Sequence, residues 1–104
     1  MTELDSSHEP AWRAGPAQDL VWADFGDDSI VYHRPSGKTH FLNGATALLL
    51  KTVLLEPKTA RIAAEELAAR EQAVGDAEFF ATVAASLERL AHLGLVELVE
   101  RSGD

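Results

Sequence analysis

Two turn signals divide residues 20–42 into three short strand-like segments, and this pattern constrains the fold more than any other in the sequence. Phe25-Gly26-Asp27-Asp28 consists largely of residues that tolerate unusual backbone angles, and Pro35-Ser36-Gly37-Lys38 places proline early and glycine late. The segments beside these turns alternate in polarity or are rich in β-branched and aromatic side chains: residues 20–23, 29–34 and 39–42. The sequence therefore predicts a three-stranded antiparallel meander joined by tight turns.

Three helical segments follow the meander, and each is preceded by a residue suited to the N-cap position. The side-chain oxygens of Asn43, Thr59 and Asp76 can accept hydrogen bonds from the free amides of the next turn. Apolar spacing then predicts helices over residues 44–55, over residues 60–71, and from residue 77 to about residue 93. Gly94 suits a left-handed C-cap, and residues 95–100 alternate in the manner of a closing strand.

These elements predict an α+β fold of the winged helix-turn-helix type: a three-stranded antiparallel meander followed by three helices and a short C-terminal strand. The length of 104 residues fits one domain. Prolines and polar side chains dominate residues 1–18, which we expect to form a flexible N-terminal arm in which Trp12 is the exception. We expect the winged-helix domain over residues 19–100 and a disordered tail over residues 101–104.

Composition excludes or disfavours several classes of function. The chain has no cysteine, which excludes disulfides, thiolate metal sites and cysteine nucleophiles. No apolar run approaches the roughly 20 residues needed to cross a bilayer, and the polar start lacks the features of a secretory signal. We therefore expect a cytoplasmic protein without a membrane partner.

The charge of the chain argues against nucleic acid as a partner. Nine basic and seventeen acidic residues give a net charge of -8, which repels a phosphate backbone. In a winged helix the third helix normally reads DNA, but here it offers only Arg89 and His92 as cations, beside the acidic Asp76, Glu78 and Glu88. We expect no nucleic-acid partner, and a DNA-binding regulator stays as an alternative.

No arrangement of side chains predicts catalysis or a metal. The hairpin would place His33 and His40 opposite one another, but two imidazoles are too few for a zinc site, so we interpret them as a cross-strand polar pair. Asp27 and Asp28 lie in a turn, and Glu65-Glu66 on a solvated helix face, which is not the setting of paired acid–base carboxylates. We expect no catalytic residue, no bound metal and no cofactor, and hence no enzyme.

Two segments of the chain resemble a known family. The stretch from residue 31 to residue 43, which includes Ser36-Gly37-Lys38-Thr39-His40-Phe41-Leu42-Asn43, is similar to PqqD-family peptide chaperones, also called RiPP recognition elements. Leu90-Ala91-His92-Leu93-Gly94-Leu95-Val96 is a second, weaker point of similarity. The resemblance covers about residues 20–99 and is greatest to the short branch encoded beside HprK-related kinases.

The resemblance implies binding of the leader segment of a ribosomally synthesised precursor peptide, which the chaperone presents to a modifying enzyme or kinase-like partner without a cofactor. An exposed sheet edge can accept such a peptide as an added strand. The family implies that the leader lies between the third strand of the meander and the third helix. Carried onto this sequence, the peptide-binding positions are Thr39, His40, Phe41 and Leu42 on the strand and Phe80, Val83, Ala84 and Leu87 on the helix.

Aromatic residues and the open strand leave one more alternative. We interpret Trp22 as covering the open side of the sheet and Trp12 as tying down the arm. Phe79 and Phe80 point about 100° apart on a helix, so one is expected to face the core and the other the groove. A homodimeric structural module, in which the exposed strand and helix of two copies meet, is the alternative to peptide binding.

Overall fold

The computed structural model describes residues 10–99 and confirms the predicted α+β layout. Two short 3-10 turns, Ala17–Asp19 and Val53–Leu55, interrupt the longer elements. Those elements, in chain order, are β1 (Ala11–Ala14), β2 (Leu20–Phe25), β3 (Asp28–His33), β4 (Lys38–Leu42), α1 (Gly44–Lys51), α2 (Ala60–Glu71), α3 (Ala77–His92) and β5 (Val96–Val99).

The predicted meander is the antiparallel sheet β2-β3-β4. Gly26 and Gly37 adopt positive φ angles of 67° and 73°, which glycine accepts without steric cost, and each lies in one of the two predicted turns. Leu20 pairs with His33 at one end of the sheet, and Ser29 pairs with Leu42 at the other. The register fixes which side chains share a face, because neighbours along a strand point to opposite faces.

One face of this sheet packs on α1, and the opposite face is exposed. Val31 and Leu42 lie on the packed face and belong to the same buried cluster as Leu49 and Leu50 of α1. α3 adds Val83, Leu87 and Leu90 to that cluster, and α2 adds Ala63, Ala64 and Leu67. The apolar helix α1 therefore packs against both the sheet and α2.

All three predicted N-caps are confirmed. The Asn43 side chain accepts a hydrogen bond from the Thr46 amide at 2.8 Å, and the Asp76 side chain accepts one from Phe79 at 2.9 Å. Thr59 accepts one from the Ile62 amide at 3.3 Å. Each bond satisfies an amide that has no partner within its own helix, so the start of each helix is fixed by a local interaction.

The first helix is shorter than its pattern predicts. It ends at Lys51, and residues 53–55 continue as a 3-10 turn instead of the predicted α-helix to residue 55. The Thr52 hydroxyl donates a hydrogen bond to the Leu48 carbonyl at 2.7 Å. The backbone of Thr52 is no longer helical, with φ -127° and ψ -46°. Two consecutive β-branched residues, Thr52 and Val53, together with the approach to Pro57, favour this early end.

Residues 11–14 form a strand where the sequence predicts a flexible arm. β1 pairs antiparallel with β5, and Ala11 is completely buried. Trp12 also exchanges two backbone hydrogen bonds with Lys58, at 2.7 and 3.0 Å. Pairing across more than eighty residues leaves no local signal, so the arm prediction fails at these four positions. Residues 1–9 and the predicted tail 101–104 lie outside the described residues.

The C-terminal end of α3 follows the predicted glycine cap. Gly94 has a φ of 82°, and the Leu95 amide donates to the Leu90 carbonyl at 2.9 Å. This turn directs Leu95, which is completely buried, into the core before β5 begins. Within residues 10–99, no helix combines the length and apolar character that a membrane crossing requires.

Candidate functional site

The outer edge of β4 has no strand partner among residues 10–99. The strand order places β4 at one edge of the meander, bonded on one side to β3. In an antiparallel sheet, alternate residues of such an edge direct their N–H and C=O groups outward. The N-terminal strand β1 pairs with β5 in a separate two-stranded sheet, so it does not cover this edge.

A small cleft of about 140 Å³ lies beside this edge, and we call it the β4–α3 cleft. One wall comes from the end of β4 and the start of α1, and the other from the C-terminal half of α3. Its lining residues are Phe41, Leu42, Asn43, Thr46, Ser86, Arg89, Leu90 and Leu93. A cavity of roughly 150 Å³ can hold a benzene ring, so the cleft has room for one apolar side chain.

The cleft is apolar at its base and polar at its rim. Leu42 and Leu90 are buried and form the base, whereas Phe41 is 71% exposed on the strand side. Arg89 is exposed on the opposite wall and brings a positive charge to the rim. A guest chain could therefore place an apolar side chain inward while its backbone meets the free groups of β4.

The predicted strand positions Thr39, His40, Phe41 and Leu42 all lie on β4 at the open edge. Their side chains alternate, so Thr39 and Phe41 lie on the exposed face while His40 and Leu42 lie on the packed face. Only Phe41 and Leu42 line the β4–α3 cleft. The assignment of these four residues to peptide binding stays a prediction.

The predicted helix positions do not line this cleft. Val83 and Leu87 are buried in the core, where a guest chain could reach them only by displacing other side chains. Phe80 lies about 180° around α3 from Arg89, at 100° per residue, and Ala84 lies near Phe80 on that wheel. Phe80 instead lines a separate cleft of about 300 Å³ with Arg61 and Glu65 of α2.

Six residues of the β4–α3 cleft were missed by the sequence analysis. The spacing of apolar residues identifies the apolar face of α3, but it does not show which element that face packs against. The phase of α3 relative to β4 depends on how both elements pack on α1, and that is a tertiary property. The missed residues are Asn43, Thr46, Ser86, Arg89, Leu90 and Leu93.

The adjacent phenylalanines of α3 do separate between two environments. Phe79 is half-buried and packs against the hydrophobic core. Phe80 is exposed at the cleft with α2, and not at the cleft beside β4. One of the two faces the core as predicted, but the other faces a different groove from the one that the sequence suggested.

His33 and His40 are not opposite one another, so that prediction is wrong. The register pairs His33 with Lys38 and His40 with Val31, which places the two imidazoles diagonally on one face. His33 Nδ1 lies 2.8 Å from the Ser36 hydroxyl within the turn. Across the part of the chain that the structure describes, no three His, Asp or Glu side chains form a group that could hold a metal ion.

His40 is the polar side chain whose environment is least satisfied. Its Nε2 atom is buried and has no hydrogen-bond partner among the described residues. Burial lowers the pKa of His40 below its ordinary value, and the nearby charges of His33 and Lys38 act in the same direction. The neutral imidazole is therefore the form that suits this position in β4.

Trp12 packs against the core as predicted, but the prediction that Trp22 covers the open side of the sheet is wrong. Trp22 is half-buried on the packed face of β2, and Lys51 Nζ lies 4.7 Å from the centre of its ring. Lys51 also pairs with Asp24 at 2.9 Å, and the hydrogen bonds from Lys51 and Ser29 lower the pKa of the Asp24 carboxyl. Trp12 is fixed by the backbone pairing with Lys58.

Comparisons of the chain with protein-family models, with curated proteins and with solved structures found no match. The similarity of residues 31–43 and 90–96 to the PqqD family is therefore a resemblance of motifs. Within residues 10–99, the feature that points to a function is the edge of β4 beside the β4–α3 cleft.

Proposed function

We propose that this chain is a non-catalytic peptide-binding adaptor that captures an extended segment of another polypeptide by strand addition to β4. The guest is the leader segment of a ribosomally synthesised precursor peptide, as the family resemblance implies. The adaptor presents this guest to a separate modifying enzyme or kinase-like partner and needs no cofactor to do so. The observation that carries the proposal is the edge of β4, which has no strand partner among residues 10–99 and lies directly beside the β4–α3 cleft.

The backbone supplies the attachment in this proposal. Alternate N–H and C=O groups of the guest pair with the outward groups of β4, a mode that is largely independent of the guest sequence. The five residues of β4 are enough for several such bonds. Backbone pairing gives affinity, and the choice among guests comes from side chains that meet pockets at every second position.

The β4–α3 cleft supplies the selectivity. One inward side chain of the guest contacts Leu42 and Leu90, and the cleft volume of about 140 Å³ has room for a single apolar side chain. Ser86 and Arg89 at the rim offer polar groups to the neighbouring guest residues. The next guest side chain points away from the cleft, onto the exposed face of the sheet, where a partner enzyme has access to it.

A binding assay with altered peptides tests the strand-addition step. Synthetic leader segments of the precursor peptides encoded next to this gene are labelled, and their affinity is measured by fluorescence anisotropy. Peptides that carry one N-methyl amide at each successive position lose a single backbone donor. We expect binding to weaken by about tenfold at every second position, since hydrogen bonds of this kind contribute roughly 1 kcal/mol each and the methyl group adds a clash.

A pair of protein variants tests the cleft. Ser86→Phe fills the cleft from its α3 wall, and we expect at least about tenfold weaker peptide binding with little change in stability, because Ser86 is only half-buried. Ala81→Phe adds the same side chain at an exposed site on another side of α3 and serves as the matched control. Equal affinities of the two variants would contradict the proposal, as would N-methyl peptides that all bind alike.

Recognition of DNA by α3 is the alternative that the sequence leaves open. The exposed side chains of α3 include Glu78 and Glu88 as well as Arg89 and His92, so its surface is mixed in charge. Several phosphate contacts from cations are needed even for weak duplex binding. A salt-dependent affinity for duplex DNA at low ionic strength would favour this alternative over peptide binding.

A further inference from the structure

A second cleft lies on the exposed face of the meander, across the end of β4 from the β4–α3 cleft. It has a volume of about 360 Å³, and we call it the outer cleft. Phe25 of β2 and Phe41 of β4 form two of its walls, and Asp28 and Ile30 of β3 lie between these strands. Three residues line both clefts, so the end of β4 is the wall that separates them: Phe41, Leu42 and Asn43.

The outer cleft combines aromatic surface with one carboxylate. Phe25 and Phe41 are 69% and 71% exposed, so both rings are largely uncovered. Asp28 pairs directly with Phe25 across β2 and β3, which places its carboxylate on the same face as the two rings. Asp28 is exposed and takes part in none of the ion pairs formed within residues 10–99. An occupant of this cleft therefore meets two aromatic rings and a negative charge.

This combination fits a long cationic side chain better than an apolar or an acidic one. Aromatic rings attract a cation, and a carboxylate accepts two parallel hydrogen bonds from a guanidinium group. The methylene groups of such a side chain can lie along the rings while its charged end reaches Asp28. An apolar side chain would instead cover the carboxylate and leave it without a partner, and an acidic side chain would be repelled. Arginine is the best match, because its guanidinium group both stacks on aromatic rings and pairs with carboxylates.

The hydrogen-bond pattern of the meander directs the backbone of Phe41 toward a guest strand. In an antiparallel sheet a residue directs its N–H and C=O to one side, and its neighbours direct theirs to the other. The Arg34 amide bonds to the Asp19 carbonyl on the β2 side, so the odd-numbered residues of β3 face β4. These residues pair with the even-numbered residues of β4, and the backbone groups of Thr39 and Phe41 therefore point outward. A guest strand would thus be bonded at Phe41, in the wall that both clefts share.

Strand geometry brings an outward side chain of the guest within reach of the outer cleft. Neighbouring strands are about 4.8 Å apart, so roughly 10 Å separates a guest backbone at β4 from the backbone of β3. An extended arginine side chain that passes beside the Phe41 ring covers this distance together with the side chain of Asp28, whereas a leucine or valine side chain would end at Phe41. Side chains alternate along the guest, so the residue next to this arginine points into the β4–α3 cleft.

We infer that the outer cleft is a second subsite for the guest, which takes an arginine side chain from the residue next to the one that enters the β4–α3 cleft. The inference rests on the proposed function, because strand addition to β4 is what carries the guest past Phe41. It defines the guest more narrowly than backbone pairing does, since the leader segment then contains an apolar residue and an arginine side by side. The net charge of -8 also favours a cationic guest over an acidic one.

Peptides that carry arginine or citrulline test the inference, since citrulline has nearly the shape of arginine without its charge. The probe is the labelled leader segment of the neighbouring precursor peptide, with each of these two residues placed in turn at every position. An alanine scan of the same segment identifies the apolar residue that the β4–α3 cleft accepts. Next to that residue we expect arginine to bind about three- to tenfold more tightly than citrulline, because both the ion pair and the ring contacts are exposed to solvent.

Two carboxylates of the β2–β3 turn provide a matched pair of protein variants. Asp28→Asn removes the charge that lines the outer cleft, whereas Asp27→Asn removes an equal charge at the neighbouring position, which does not line it. We expect Asp28→Asn to bind the arginine and citrulline peptides alike, and Asp27→Asn to keep most of the preference for arginine. Phe25→Leu removes an aromatic wall that the β4–α3 cleft does not share, and it should reduce the preference for arginine by about twofold or more while citrulline peptides bind as before.

Equal affinity of the unmodified chain for arginine and citrulline at every position would overturn the inference, and so would a preference for arginine that survives Asp28→Asn. Neither result would contradict the proposed function as long as Ser86→Phe, in the β4–α3 cleft, still weakens peptide binding. If the unmodified chain bound no leader segment, the proposed function and this inference would both be wrong.

Discussion

The environment of individual side chains can be tested by measurements in solution, and His40 is the most informative of these side chains. Its imidazole lies on the packed face of an edge strand, with Nε2 buried and unpartnered among the described residues. Burial lowers the pKa of His40 relative to its ordinary value of 6.5. In the folded chain the group therefore holds a proton less readily than it does in the unfolded chain.

The first prediction concerns pH. Because the folded pKa of His40 is lowered, its contribution to stability is complete above about pH 6.5 and is lost as the pH falls below that value. His40→Gln removes the titration, so the free energy of unfolding should fall less between pH 7.5 and pH 5.5 than in the unmodified chain. Denaturant unfolding at the two pH values measures this difference.

His92 is the control for this experiment. It is exposed on α3, so His92→Gln makes the same substitution at a site away from the packed face of β4. Both variants retain the same carboxylates, and acid unfolding driven by those groups therefore cancels in the comparison. If His40→Gln and His92→Gln showed the same loss of stability at pH 5.5, the account of His40 would be wrong.

Gly44 gives the second prediction at this scale. A Cβ atom on Gly44 would lie 2.7 Å from the backbone carbonyl oxygen of Asp27, so this first residue of α1 allows the β2–β3 turn to approach the helix closely. Gly44→Ala should lower the free energy of unfolding by about 1–3 kcal/mol, although alanine is the better helix former. Thermal and denaturant unfolding measure the change.

Gly75 provides the matched control for Gly44. A Cβ atom there would lie 3.4 Å from the Ala68 side chain, which is an ordinary contact, and its φ angle is not positive. Gly75→Ala should therefore be neutral or slightly stabilising. A Gly44→Ala variant as stable as Gly75→Ala would show that the turn and α1 are not in close contact.

Local signals determine where most elements begin, and distant contacts determine where some of them end. Asn43, Thr59 and Asp76 cap the three helices as predicted, since a cap needs only residues three positions away. The extent of α1 and the existence of β1 could not be predicted in the same way. β1 depends on a partner strand more than eighty residues along the chain, and its own sequence is short and rich in alanine.

The candidate site likewise has one part that local sequence features predict and one part that they do not. The open strand could be predicted, because the two turns and the alternation of residues 29–42 are local features. The helical wall could not, because only the packing of α3 decides which of its residues lie beside β4, and these include Arg89 and not Val83. Four helix positions were therefore assigned to the peptide, and the cleft contains none of them.

Capping of α3 gives a prediction at the scale of an element. Asp76→Ala removes the bond to the Phe79 amide and should lower the free energy of unfolding by about 1 kcal/mol. Glu78→Ala, in the same first turn of α3 but not at the cap, should cost less. Denaturant unfolding of the two variants separates these values, and equal losses would contradict the capping assignment.

At the scale of the whole molecule, the two edge strands of the meander, β2 and β4, have different neighbours. β2 follows directly on the segment after β1, and the hydrogen bond from the Arg34 amide to the Asp19 carbonyl, at 2.8 Å, extends its pairing with β3 by one residue. The β4 edge adjoins the β4–α3 cleft and has no strand beside it within residues 10–99. A guest strand at β4 would thus extend the meander by one strand.

Amide hydrogen exchange, followed by NMR with and without a leader peptide, tests the central claim most directly. Strand addition protects outward amides of the edge that it covers, so every second amide of residues 38–42 should exchange at least about tenfold more slowly when peptide is bound. The outward amides of β2, residues 20–25, are the internal control and should keep their rates. Unchanged exchange along β4 at saturating peptide, or equal protection of both edges, would contradict the account.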